Sequence, residues 1–142
     1  MKTFKVKGQL GHSSIFVGER LKNLTNYLPS THIIIITDEN IKKLYKKDFP
    51  DVPIITIGTG EDIKTLATVE TILKELIRHS CDRSSFIVGI GGGIVCDITG
   101  FVASTFLRGV GFGFVSTSLL SQVDASVGGK NGVNLDSYKN MV

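Results

Sequence analysis

The feature that most constrains the fold is residues 33–37, four isoleucines and a threonine with no alternation of apolar and polar positions. β-branched residues favour strands, and an unbroken run of this length is typical of a strand buried on both faces of a parallel sheet. Similar runs follow at 53–58 and 86–90, with a shorter one at 112–115. Because both faces of such a sheet must be covered, we expect the segments between these strands to be helical.

The intervening segments have the expected helical patterns. Apolar residues recur at helical spacing from 63 to 79, which predicts an amphipathic helix. Residues 94–106 are almost wholly apolar, which predicts a helix sandwiched between other elements, and a helix is expected to begin within 118–123. A short helix is expected through Ile41 and Leu44. The alternation predicts an α/β domain with a Rossmann-like parallel sheet, flanking helices and right-handed crossovers.

Composition and charge narrow the function classes. At 142 residues with 42% hydrophobic content, the chain is expected to form one well-buried domain, which opens with a strand-like segment at 4–17 that has a break at 11–14. The net charge is +3, and no basic stripe interleaved with aromatics is present, which argues against nucleic-acid binding. No apolar run resembles a signal peptide or a membrane span, so we expect a cytoplasmic protein without a membrane partner.

Cysteines and histidines predict neither a disulfide framework nor a metal site. Cys81 and Cys96 have no metal-ligand spacing and are interpreted as reduced thiols. His12, His32 and His79 are scattered along the chain, so no metal ligand is predicted among them.

A glycine cluster at 89–93, Gly-Ile-Gly-Gly-Gly, joins a predicted strand to the apolar helix. Exposed backbone N–H groups and a positive helix N-terminus in this position suit a phosphate. The dinucleotide fingerprint G-x-G-x-x-G is not strictly matched, because Cys96 stands where the third glycine is expected. Two interpretations stay open at this point, a phosphate-binding loop and a tight strand-to-helix turn.

Several polar residues are candidates with competing interpretations. Asp38 follows the first strand, where a helix N-cap is favoured over a ribose contact. Glu61 and Lys64 lie three residues apart at the start of the amphipathic helix and are interpreted as a solvated pair on one face. Asp97 is placed in the first turn of the apolar helix, where capping and ligand binding are equally open.

Three single charges stand in a glycine-rich, nearly uncharged stretch. Arg108 precedes Gly109 at the end of the apolar helix, so it could partner the helix dipole or offer its fork to a phosphate. Asp124 lies in an otherwise uncharged predicted helix, and Lys130 follows two glycines that allow close backbone approach. Any one of them alone could be simply solvated, but their grouping favours a ligand-binding role.

The sequence resembles the 3-dehydroquinate synthases in a series of segments that is densest after residue 89. The most specific of these is Gln122-Val-Asp-Ala-Ser-Val-Gly-Gly-Lys130. The others are 91–97 (GGGIVCD), 100–103 (GFVA), 106–110 (FLRGV), 116–121 (STSLLS), 131–134 (NGVN) and 139–141 (KNM). The resemblance spans the whole chain but covers only the family's N-terminal nucleotide-binding domain.

The resemblance implies that residues 1–142 form the NAD-binding domain of a two-domain enzyme. Members of this family convert 3-deoxy-D-arabino-heptulosonate 7-phosphate to 3-dehydroquinate and phosphate in the shikimate pathway, with NAD and a divalent metal, zinc or cobalt. The metal ligands, a glutamate and two histidines, lie in the C-terminal domain, so this chain is expected to be inactive alone. A homodimer is also implied.

The resemblance also implies roles for individual residues. Asp124 and Lys130 would be catalytic and would bind substrate together with Arg108 and Asn140, with the arginine offered across a dimer interface. The expected NAD contacts are Asp38, Asn40, Glu61, Lys64, Gly92, Gly93, Ile94, Asp97, Thr117, Ser118 and Lys139. The chain departs from the family pattern at Cys96, Ser116, Ser118 and Asn131, none of which removes a matched functional side chain.

Two alternatives stay open at this stage. One is another enzyme of the same fold, either a related sugar-phosphate cyclase or a dehydrogenase of the glycerol dehydrogenase type. The other is a non-catalytic nucleotide-binding module.

Overall fold

The computed structural model describes residues 1–8 and 11–142, which form two separate β-sheets with flanking helices. The smaller sheet is an antiparallel pair, β1 (Lys2–Lys7) and β2 (His12–Val17). The predicted break at 11–14 is wrong for residues 12–14, which belong to β2 because they pair across the ladder with residues 5–7 of β1. Ladder pairing overrides the local turn preference of this polar stretch.

The larger sheet has four strands, all parallel, in the order β4-β3-β5-β6. Its strands are β3 (Ile33–Asp38), β4 (Ile54–Ile57), β5 (Phe86–Gly91) and β6 (Gly111–Ser116). Its helices are α1 (Glu39–Tyr45), α2 (Leu66–Arg78) and α3 (Gly93–Thr105). The predicted α/β class with a parallel sheet is confirmed.

Both faces of the large sheet are covered, which explains the unbroken isoleucine run. Ile34 and Ile36 face a core layer shared with α2 and α3, and both are fully buried. Ile33 and Ile35 face the opposite layer, which is closed by residues of α1 and of a 3-10 helix, Leu21–Tyr27. Successive side chains of a strand point to opposite faces, so a strand with two covers must be apolar throughout.

Two of the predicted helices differ from the sequence pattern in more than the placement of one terminal residue. The helix predicted from residue 63 begins at Leu66, because a 3-10 turn, Glu61–Ile63, precedes it and Thr65 caps α2 by accepting a hydrogen bond from the N–H of Thr68 at 3.2 Å. After β6, the helix expected within 118–123 is a short one whose residues Ser121–Ala125 are π-helical. None of the helices in residues 1–8 and 11–142 has both the length and the apolar character needed to cross a membrane.

The strand order of the large sheet reverses between β3 and β5. The chain leaves β3 for β4 on one side and then returns to β5 on the other side of β3. In open parallel sheets, ligands bind outside the carboxyl ends of the strands where the order reverses in this way. The ends of β3 and β5, and the loops that follow them, therefore frame the candidate site.

Candidate nucleotide-binding site

Most of the residues proposed to bind a ligand follow the carboxyl ends of the parallel strands. Asp38 ends β3, the 3-10 turn that starts at Glu61 follows β4, and Gly92 follows β5. Thr117 follows β6, and its backbone N–H donates to the carbonyl of Gly91 at 2.9 Å. Because the strands are parallel, these four chain segments meet at the same edge of the sheet.

Two glycines of the cluster are required by packing. A Cβ atom on Gly91 would lie 2.5 Å from Cγ2 of Val95, and one on Gly89 would lie 2.6 Å from Oγ1 of Thr99. Both contacts join β5 to the helix α3 that follows it. Gly89 and Gly91 thus allow α3 to lie close against its own strand.

The other two glycines leave space at the start of α3. A Cβ atom on Gly92 would lie 3.4 Å from Oγ of Ser118, and one on Gly93 would lie 3.8 Å from Cβ of Ala125. Within the described residues, the backbone N–H groups of Gly92, Gly93 and Ile94 have no hydrogen-bond acceptor. These donors, together with the positive end of α3, form a place where a phosphate group fits.

An ion pair between a buried lysine and a half-buried aspartate lies beside this helix start. Nζ of Lys64 is 2.5 Å from Oδ2 of Asp97, and the two side chains are 6% and 20% exposed. The placement of Asp97 in the first turn was wrong, because α3 begins at Gly93 and Asp97 is in the second turn, where it pairs with Lys64 and does not cap. The interpretation of Glu61 and Lys64 as a solvated pair was also wrong, since Lys64 is buried and lies before α2.

Lys64 also contacts the C-terminal segment. Its Nζ donates to Oδ1 of Asn140 at 2.5 Å, so it joins Asp97 and Asn140. Glu61 accepts a hydrogen bond from Nδ2 of Asn134 at 2.8 Å, and Oδ1 of Asn134 accepts from the backbone N–H of Asn140 at 2.9 Å. Sequence reasoning assigned no role to Asn134, which links residues far apart in the chain.

Asp38 is an N-cap, as favoured from the sequence: its Oδ1 accepts a hydrogen bond from the backbone N–H of Ile41 at 2.9 Å. A carboxylate has a second oxygen, so this cap is compatible with a further contact to a ribose hydroxyl. Asn40 is exposed on the same helix. Ser118 is exposed beside Gly92, and its Oγ lies 3.0 Å from Oγ of Ser121.

Asp124, Lys130 and Lys139 are exposed on the segment after β6. The carbonyl of Asp124 accepts backbone hydrogen bonds from Val127 at 3.0 Å and Gly128 at 2.8 Å, which close a turn after Asp124. A Cβ atom on Gly100 of α3 would lie 2.0 Å from Oδ1 of Asn131, so the residue next to Lys130 rests directly on that glycine.

Arg108 is the one predicted substrate contact that lies away from the others. It follows the C-terminal end of α3, and a helix of 13 residues is about 20 Å long, which places Arg108 near the opposite edge of the sheet from Gly93. Leu107 and Arg108 have φ values of 50° and 71°, followed by Gly109 at 115°. Positive φ at two consecutive non-glycine residues makes this a strained turn, which presents an exposed arginine.

Cys96 is fully buried, and burial raises the pKa of its thiol to about 11, an effect opposed by a hydrogen bond with Ser116. Burial also raises the pKa of Cys81, which is only half-buried. Within the described part of the chain, no group of three or more His, Cys, Asp or Glu side chains is arranged to hold a metal ion.

Comparison with known proteins identifies the family of this chain. Residues 54–142 match the family model described as 3-dehydroquinate synthase N-terminal, which includes α2, the glycine cluster and the Lys64–Asp97 pair. The chain belongs to the 3-dehydroquinate synthase family. A 3-dehydroquinate synthase of Clostridium kluyveri is 42% identical over 99% of this chain and 40% of that protein. One of Sulfurovum sp. is 54% identical over 93 residues, 66% of this chain and 27% of that protein.

A solved structure of 2-deoxy-scyllo-inosose synthase, complexed with carbaglucose-6-phosphate, NAD+ and Co2+, superposes with a TM-score of 0.85. It is 26% identical to this chain and covers 99% of it, while the chain covers 42% of that protein. The chain thus spans about two fifths of the length of the Clostridium relative and of this neighbour.

Proposed function

We propose that this chain is the nucleotide-binding domain of a 3-dehydroquinate synthase that converts 3-deoxy-D-arabino-heptulosonate 7-phosphate to 3-dehydroquinate and phosphate. The observation that carries the proposal is the set of unpaired N–H groups at Gly92, Gly93 and Ile94 beside the Lys64–Asp97 pair. The backbone donors for a phosphate lie at the same edge of the sheet as Lys64, which also donates a hydrogen bond to Asn140.

NAD fits this edge. The N–H donors of Gly92, Gly93 and Ile94 would hold its pyrophosphate, and Asp38 and Asn40 its adenosine ribose. Glu61, Lys64 and Asp97 would line the same side, with Thr117, Ser118 and Lys139 completing the contacts. Bound NAD supplies a reversible acceptor for hydride, which makes one substrate hydroxyl a ketone and acidifies the neighbouring proton.

The chain would provide part of the substrate site. Asn140 accepts a hydrogen bond from Lys64, so a substrate beside Asn140 would lie next to the bound cofactor. Lys130 would stabilise the leaving phosphate by its charge, and Asp124 would orient a hydroxyl. Arg108 lies about 20 Å away along α3, so it would serve the site of a second copy in a homodimer.

The rest of the reaction needs groups outside this chain. A zinc or cobalt ion held by a further domain would complete the active site, so we expect no turnover by residues 1–142 alone. The length of the relatives supports this division, since the chain spans 40% of the Clostridium protein. We propose a cytoplasmic location for the complete enzyme.

A related sugar-phosphate cyclase is the second candidate, favoured by the superposition with 2-deoxy-scyllo-inosose synthase. Such an enzyme would share the NAD site and differ in the sugar phosphate it accepts. The curated relatives with higher identity are named 3-dehydroquinate synthases, and this supports the first candidate.

Isothermal titration of NAD+ into the 142-residue chain tests the shared claim. We expect saturable binding that is weakened by Lys64→Ala and unaffected by Lys74→Ala, a lysine exposed on α2. The absence of any binding at millimolar NAD+ would overturn both candidates. Activity of the complete enzyme with the heptulosonate phosphate, measured as phosphate release, then separates the first candidate from the second.

A further inference from the structure

Asn134 connects two groups that the proposed function assigns to different ligands. Its side-chain Nδ2 donates to Oε1 of Glu61, on the NAD side, at 2.8 Å. Its Oδ1 accepts from the backbone N–H of Asn140, on the substrate side, at 2.9 Å. Both ends of one amide are thus used, each with a different ligand-facing residue.

The backbone of Asn134 is fixed as well. Its N–H donates to the carbonyl of Lys64 at 2.8 Å, and it forms an isolated parallel bridge with Thr65. The Nζ of Lys64 in turn donates a hydrogen bond to Oδ1 of Asn140 at 2.5 Å. Asn134, Asn140 and Lys64 therefore form a closed ring of hydrogen bonds, to which Glu61 and Asp97 are attached.

We propose that Asn134 is a positioning residue that couples NAD binding to the placement of Asn140. This inference rests on the proposed function, and it adds a residue to which that function gives no ligand contact. Movement of Glu61 or Lys64 on binding NAD is transmitted to Asn140 through the amide and the backbone of Asn134. The amide of Asn134 offers a donor to the carboxylate and an acceptor to the N–H at once, whereas an ionised carboxylate at this position could only accept.

Asn134→Asp separates the two links. The new carboxylate still accepts from the N–H of Asn140, but it faces Glu61 with a like charge and has no proton to donate. Glu61→Gln in the same chain restores a donor to that carboxylate. The two single changes and the double change form a cycle in which the interaction of the two side chains is isolated.

Asn23→Asp is the matched control. The side-chain Nδ2 of Asn23 donates to Oε1 of Glu19 at 2.8 Å, so the same substitution removes the same kind of bond. Asn23 lies in the 3-10 helix Leu21–Tyr27, on the other face of the sheet from α2 and α3.

The experiment combines NAD+ titration with residue-resolved hydrogen exchange of the Asn140 amide, with and without saturating NAD+. In the unaltered chain we expect NAD+ to slow this exchange about fivefold or more, the low end of ordinary coupling between sites. Asn134→Asp should abolish the slowing of exchange at Asn140 and weaken NAD+ binding about tenfold. Asn23→Asp should change neither the slowing nor the NAD+ affinity. In the Glu61→Gln background Asn134→Asp should change NAD+ affinity less than about threefold.

The outcomes are distinguishable. No NAD+ binding by the unaltered chain overturns the proposed function itself. NAD+ binding with no slowing at Asn140, with equal slowing after Asn134→Asp, or with no rescue by Glu61→Gln overturns only the coupling. If Asn134→Asp does not fold, Glu61→Asp withdraws the carboxylate from the same amide, and loss of the slowing at Asn140 is again required.

Discussion

Nζ of Lys64 lies 2.5 Å from Oδ2 of Asp97, although the two residues are 33 positions apart in the chain. The pair joins the segment before α2 to the second turn of α3. The lysine side chain is 6% exposed and the aspartate 20%. Loss of the partner charge is therefore expected to cost more at the lysine, which water reaches less. The pair therefore holds the two sides of the proposed NAD site together.

Asp97→Asn should destabilise the chain by about 3 kcal/mol, because it leaves the charge of Lys64 buried without a counter-ion. Urea unfolding followed by circular dichroism measures the change. Glu70→Gln is the control: Glu70 and Lys74 form an exposed pair, 67% and 63% accessible, whose loss is expected to change stability by less than about 1 kcal/mol. Equal effects of the two substitutions would contradict the assigned burial of Lys64.

Replacing glycine by alanine is expected to affect stability differently at two positions of the glycine cluster. Gly91→Ala should destabilise the fold by about 1–3 kcal/mol, because its Cβ would lie 2.5 Å from Val95. Gly93→Ala should leave stability unchanged, because its Cβ would lie 3.8 Å from Ala125.

Gly93→Ala should nevertheless weaken NAD+ binding about tenfold or more, since the methyl group obstructs a charge-assisted hydrogen bond that contributes about 1.5 kcal/mol. Thermal melting and NAD+ titration measure the two quantities separately. A stable Gly91→Ala chain, or unaltered NAD+ affinity after Gly93→Ala, would refute the division of roles within the cluster.

The two thiols should differ in reactivity. Burial raises the pKa of Cys96 to about 11 and excludes reagent, whereas Cys81, whose pKa burial also raises, is only half-buried. Only the thiolate is nucleophilic, so iodoacetamide at pH 8 should label Cys81 slowly and Cys96 hardly at all. Peptide mass spectrometry after a time course measures both sites. Comparable labelling in the folded chain, with denatured chain as reference, would be inconsistent with the buried position of Cys96.

Glu19 predicts an acid-sensitive anchor for the β1–β2 hairpin. Hydrogen bonds from Tyr27, the backbone of Arg20 and Asn23 lower the pKa of Glu19 from 4.5 to about 2. A lowered folded-state pKa gives stability that is present above pH 4.5 and is lost as the pH falls towards 2. The ring of Tyr27 lies 4.3 Å from that of Phe16 in β2, so this loss should loosen the hairpin.

Hydrogen exchange of the β2 amides between pH 5 and pH 2 tests this expectation, after correction for the intrinsic pH dependence of exchange. Glu19→Gln cannot titrate, so its corrected protection should be lower than that of the unaltered chain at pH 5 and constant below it. An identical pH dependence in the two chains would show that Glu19 does not anchor the hairpin.

The sheet could be predicted from sequence because its evidence is local. The isoleucine run of β3 and the apolar helix α3 each carry their burial pattern within a few residues. The cap at Asp38 was favoured for the same reason, since capping involves neighbours three residues away.

The polar network at the site could not be predicted in this way. Lys64 meets Asp97 and Asn140, and Asn134 meets Glu61, across 33, 76 and 73 residues. Pairings at such separations depend on how strands and helices assemble, and spacing along one element gives no evidence of them. The sequence pattern of Glu61 and Lys64 therefore suggested a local pair that does not form.

The glycines at 89 and 91 are needed because α3 packs directly against them, and those at 92 and 93 leave room for a ligand. A natural variant that had lost its ligand would still be selected to keep the first two, while the second two would be free to drift. Pseudoenzymes descended from this fold should therefore retain half of the motif. Glycine at positions 92 and 93, and not the overall glycine content of the segment, would then identify the proteins that still bind the ligand.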